Sequence, residues 1–189
     1  MSTMNITLIG FTSSGKSATG LELAALIGAQ YVDLDEQVEQ IHLKLKGQPM
    51  RCREIYSMLG RDCFTSYEHI ALNHLLGQHN LILSTGGGTP LDEKNHKLLK
   101  QFGKIIYLKP APEVIMERMR SKGFPQFMQD NPTLKHVEDL CSERNPVYER
   151  VADVVIDNTS QSPRESAASI CKKLRIPAIS HHSNTRSGR

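Results

Sequence analysis

The sequence predicts an α/β fold in which a five-stranded parallel sheet is covered by helices on both faces. Short apolar runs suited to buried strands recur at 6–11, 31–34, 81–84, 105–108 and 154–156, and longer helical patterns fill the intervals. Alternating strand and helix places the strands parallel, with the helices as crossovers on the faces. Finally, polar or glycine-rich elements follow the first three runs, and ligands of such sheets collect at the carboxyl ends of the strands.

The first run leads directly into GFTSSGKS, a GxxxxGKS loop at residues 10–17. In that pattern the backbone N–H groups of the loop and of the following helix face a polyphosphate. Gly10, Ser13, Ser14, Gly15, Lys16, Ser17 and Ala18 form the expected nucleotide cradle. Lys16 reaches the outer phosphates and Ser17 ligates Mg²⁺, so the chain is expected to bind ATP or GTP. Ser13 and Ser14 occupy the centre of the loop, where glycine would turn more freely. Leu21, Leu23, Leu26 and Ile27 then give the helical pattern that the motif requires after it.

The second run ends in Asp33-Leu34-Asp35. In an extended chain the period of two puts both carboxylates on one side. Beside a nucleotide-bound Mg²⁺, one can hold a metal water while the other takes or orients the proton of an attacking hydroxyl. The competing reading is that the acidic pair caps the next helix. The third run leads into Thr85-Gly86-Gly87-Gly88, a backbone stretch that a ligand can approach closely, or else a flexible loop.

With 189 residues and no repeat or linker, the chain reads as one domain over 1–179, followed by a polar, disordered tail at 180–189. His181 and His182 in that tail read as incidental rather than as metal ligands. A net charge of +3, from 23 basic and 20 acidic residues spread evenly, argues against a nucleic-acid partner. Cys52, Cys63, Cys141 and Cys171 are too scattered for a zinc site or a disulfide framework. The chain shows neither a targeting segment nor the roughly 20 consecutive apolar residues that span a bilayer, so a cytoplasmic protein without membrane partners is expected. No NKxD-like segment that would read guanine is present.

Taken together, GFTSSGKS, the DLD at 33–35, STGGG at 84–88 and SERNPVYERVAD at 142–153 resemble the shikimate kinase family of nucleoside monophosphate kinase-like P-loop kinases. The likeness runs in order from about residue 5 to residue 173. It implies a three-layer P-loop kinase fold with a lid, ATP and Mg²⁺ as nucleotide and metal, and shikimate as acceptor for a monomeric enzyme. By position, Lys16 would stabilise the transferring phosphoryl group, and Ser17 and Asp33 would hold Mg²⁺, the latter through water. Asp35 would act on the acceptor hydroxyl, Gly86, Gly87 and Gly88 would line its pocket, and Arg144 would bind its carboxylate. A surface ion pair of Arg144 with Glu143 or Glu149 is the alternative. Arg120, just before the lid, is placed to stack on adenine, or equally to face its helix dipole from the surface.

Two positions depart from the family pattern. Where an FRxxE segment is usual, the chain reads Phe64-Thr65-Ser66-Tyr67-Glu68, so Thr65 replaces an arginine that grips the carboxylate. Where the lid usually carries RPL, it reads Gly123-Phe124-Pro125-Gln126-Phe127, and Phe124 stands in the arginine's place. Each lost charged hydrogen bond is worth roughly 1.5–3 kcal/mol, or about 10- to 150-fold in affinity. Arg51, Arg53 and Arg61, or Arg118, Arg120 and Lys122 beside the lid, are the candidate replacements. Alternatively, Phe124 and Phe127 close a more apolar pocket over a different carboxylated polyol. A non-catalytic nucleotide-binding regulator is the remaining reading, against which Lys16, Ser17, Asp33, Asp35 and Arg144 all keep the expected chemistry.

Overall fold

A computed structural model describes residues 4–177 except 131; the tail expected at 180–189 lies outside the described residues. The elements in chain order are β1 (Ile6–Ile9), α1 (Lys16–Ile27), β2 (Gln30–Asp33), α2 (Leu34–Lys46), α3 (Cys52–Leu75), β3 (Leu81–Ser84), α4 (Glu93–Phe102), β4 (Lys104–Leu108), α5 (Pro112–Lys122), α6 (Leu134–Val151), β5 (Val154–Ile156) and α7 (Pro163–Leu174). All five strands pair in parallel in the order β2-β3-β1-β4-β5. The chain leaves β1 toward one edge and β3 toward the other, so their carboxyl ends flank the crevice where such sheets bind ligands.

Alternate strand residues feed two separate cores. Leu8, Ile82, Ile106 and Leu108 pack under α1 and α7, whereas Ile9, Leu83, Ile105 and Tyr107 pack under α2 to α6. Burial on both faces explains why the strands read as continuous apolar runs instead of alternating ones. Two predicted ends shift. β1 stops at Ile9 because Gly10 takes φ 144°, and Phe11 turns into the core. β2 stops at Asp33, and Leu34 opens α2 without an intervening loop because the Asp33 carboxylate accepts the Asp35 N–H at 3.0 Å. Asp35 is therefore helical, and the extended-chain geometry expected for the pair does not hold.

The amino end of the sheet is fastened by Asn5. Its side chain donates to the Gln78 carbonyl at 2.6 Å and accepts the Leu81 N–H at 3.0 Å, while its own carbonyl accepts from Lys104 N at 3.0 Å. One residue thus sets the start of β3 and of β4 against β1. Asn5→Ala, which removes both side-chain bonds from a nearly buried position, should lower stability by about 2 kcal/mol. The urea midpoint should fall with an unchanged slope.

Candidate active site

The loop between β1 and α1 is shaped by left-handed backbone at Gly10, Ser13 (φ 64°) and Gly15 (φ 100°). Ser13 holds a conformation that costs a non-glycine residue energy. Arg118 of α5 braces it, donating to the carbonyls of Ser13 and Ser14 at 3.4 and 2.9 Å, and Asn158 donates to Ser14 O at 2.9 Å. Lys16 folds back across the loop and donates to the carbonyls of Gly10 and Phe11, both at 2.9 Å. Burial pulls its pKa down to about 8 against the opposing pull of Asp35 and Asp33, so the ammonium stays largely protonated at neutral pH.

Asp33 engages both carboxylate oxygens, one with Asp35 N and the other with the Tyr31 hydroxyl at 2.9 Å. Tyr31 also interacts with Ser17, which brings the two expected metal residues to a common neighbour. The ring fits only because residue 20 is glycine: a Cβ there would stand 2.7 Å from it. A hydroxyl and one carboxylate suit Mg²⁺, which keeps most of its waters and takes its remaining ligands from phosphate. The Ser14 hydroxyl is buried without a partner among the described residues, and Gly10 and Gly15 supply the positive φ that curls the loop into a phosphate seat. These residues fit a Mg²⁺–nucleotide.

Asp35 sits in the first turn of α2, where burial, with Asp33 adding to it and Lys16 opposing, raises its pKa to about 6. Along with Gly86, Gly87, Gly88 and Arg144, it lines a cavity of about 590 Å³. The glycines serve different purposes. A Cβ on Gly86 would stand 3.0 Å from the Asp35 carboxylate and one on Gly87 2.9 Å from Thr12 Oγ1, whereas Gly88 faces open space. Gly86 and Gly87 therefore let this loop close on Asp35 and on the phosphate loop.

Most of the SERNPVYERVAD segment lies on α6. Asn145 accepts from the Tyr107 hydroxyl at 2.6 Å, and the Tyr148 hydroxyl donates to Gly87 O at 2.7 Å, so the helix supports both β4 and the glycine loop. Arg144 packs over two adjoining rings, 5.0 Å from the centroid of Phe11 and 5.3 Å from that of Phe127. Glu149 pairs with Lys109 at 2.7 Å instead of with Arg144.

Lid residues divide in a way the sequence did not indicate. Phe124 packs against the core and does not border the cavity that Asp35 and Arg144 line. Phe127 does not border the cavity either but contacts Phe11 and Arg144, and fully buried Met128 anchors the short turn at Gln126–Met128. Arg120 is exposed, while its neighbour Arg118 reaches the phosphate loop. Arg118, Asn158 and Tyr31 were missed as loop supports; a charged residue on the partly apolar α5 was their only sequence signal. Thr65 and Glu68 line the acceptor cavity as their registration predicts, with the Thr89 hydroxyl donating to Glu68.

A family model described as shikimate kinase matches residues 12–175. The chain is 33% identical to a shikimate kinase of Pelotomaculum thermopropionicum over 90% of its own length and 95% of that protein's. It is 34% identical to one of Pasteurella multocida, over 88% and 92%. Its fold is similar to a solved structure of the shikimate kinase from Acinetobacter baumannii in complex with shikimate, with a TM-score of 0.80 at 30% identity, covering 92% of this chain and 94% of that one. With its phosphate loop, glycine loop and α6 arginine arranged on one rim of the sheet, the chain belongs to the shikimate kinase family.

Proposed function

We propose that this protein transfers the γ-phosphoryl group of ATP to a hydroxyl of shikimate. The observation that carries the reading is the meeting of Asp35 and Arg144 in one cavity that opens beside the phosphate loop. Lys16 leaves its carbonyl partners to stabilise charge on the transferring group. Ser17 and, through water, Asp33 hold Mg²⁺, which supplies charge neutralisation on the phosphates when bound. Asp35 orients the acceptor hydroxyl or takes its proton, and Arg144 pairs with the carboxylate.

Gly86, Gly87 and Gly88 form the wall behind the acceptor, and Arg118 is better placed than Arg120 to act on the nucleotide side. The evenly mixed charge supports a small-molecule partner, and the protein acts as a monomer in the cytoplasm in this reading. Among the described residues no helix is long and apolar enough to cross a membrane. Thr65 on the cavity wall favours a second acceptor, another carboxylated polyol, and ATP turnover with a panel of acceptors separates the two.

Lys16→Ala should abolish phosphoryl transfer while leaving the fold intact, checked by circular dichroism beside a coupled ADP-release assay. Asp35→Asn should lower turnover by about 10²–10⁴-fold with little change in ATP affinity. Because the raised pKa of Asp35 means that the carboxyl protonates as pH falls through about 6, the acid limb of kcat/KM should lie near that pH and vanish in the variant. A variant whose main defect is ATP binding would place Asp35 with the metal instead.

A further inference from the structure

Four arginines stand near the acceptor cavity, and the structure sorts them by how they are held. Arg51 is bound to Glu39 at 2.9 Å and does not border the cavity. Arg144 borders it but packs over the adjoining rings of Phe11 and Phe127. Arg53 and Arg61 border it as well, and among the described residues neither has a hydrogen bond or an ion pair. They are exposed side chains facing a cavity with their donors free.

Helix α3 explains why both point inward. Gly60 breaks it with φ 77° and ψ 174°, dividing it into two helical segments. Arg53 lies in the first turn of one segment, and Arg61 is the first residue of the other. Thr65 follows Arg61 by four residues, one helical turn, and lines the same cavity. The wall position that lacks a guanidinium therefore has one a turn away on its own helix and a second across the break.

Carboxylates on the same wall leave these two cations free. Glu68 is buried and accepts from the Thr89 hydroxyl, and its burial raises its pKa to about 7, so it is only partly ionised at neutral pH. Asp92 accepts the Lys94 N–H as the cap of α4. Asp35 faces Lys16. Glu143 neighbours Arg144 in sequence and forms no ion pair among the described residues. A carboxylate ligand entering this cavity meets two unpartnered guanidiniums, each able to bind it through two parallel N–H bonds.

We propose that Arg53 and Arg61, from the two segments of α3, grip the acceptor carboxylate opposite Arg144 and so take over the recognition that Thr65 cannot provide. This inference rests on the shikimate reading above and names two specificity-determining residues for it. Arg144 arrives preorganised by its rings, whereas Arg53 and Arg61 are ordered by the ligand.

Calorimetric titration with shikimate and with its primary carboxamide tests this on the wild-type protein, Arg53→Gln, Arg61→Gln and the double variant. Each single change should weaken shikimate binding by about 10-fold and the double by about 100-fold, as expected for lost charged hydrogen bonds. KM for shikimate should rise in step while kcat and ATP affinity stay within about threefold, and the carboxamide should bind all four proteins alike. Unchanged shikimate affinity in the double variant, or equal losses for acid and carboxamide, overturns the assignment while leaving the kinase reading intact. Wild-type protein that neither binds nor phosphorylates shikimate overturns both.

Discussion

Lys16 is 8% exposed, and keeping its charge buried is the constraint around which the carboxyl edge of the sheet is built. Two backbone carbonyls of the loop and the fields of Asp35 and Asp33 hold it charged. The carbonyls can turn inward only if Gly10 and Ser13 adopt left-handed backbone, and Ser13 stays there because Arg118 and Asn158 hold the carbonyls of Ser13 and Ser14 from outside. The same charge restrains the rise in the Asp35 pKa. Lys16 and Asp35 are thus set together: without the ammonium the buried carboxyl would be harder to ionise, and without the carboxylates the ammonium would lose its proton more readily.

Support for the acceptor side comes from further away. Tyr148 ties the glycine loop to α6, Asn145 ties α6 to β4, and the Cys52 thiol donates to the Asp35 carbonyl at 3.2 Å, joining α3 to the start of α2. The glycine loop and α6 are therefore both referenced to the sheet.

Strand positions and the phosphate loop were legible because both are local: buried parallel strands are apolar without interruption, and the loop needs its glycines and lysine at fixed spacing. The Asp33–Asp35 geometry was not, since one hydrogen bond at the strand end decides whether residue 35 is extended or helical. Arg118 and Arg120 differ by two positions on one helix, and only the packing of α5 onto the loop tells them apart. Phe124 and Phe127 look equivalent in sequence, yet one joins the core and the other the arginine. Thr65 lines the cavity, but which cation stands near it depends on the break at Gly60, where nothing crowds a Cβ and only the backbone angle marks the site.

Met128 is 0% exposed, which makes the lid a strap pinned near its middle. Lifting it draws a methionine side chain out of the core, at about 1.5–3 kcal/mol, before the stacking of Phe127 on Arg144 is counted. Met128 thus couples the position of Phe127, and with it the ring on which Arg144 packs, to the packing of the core.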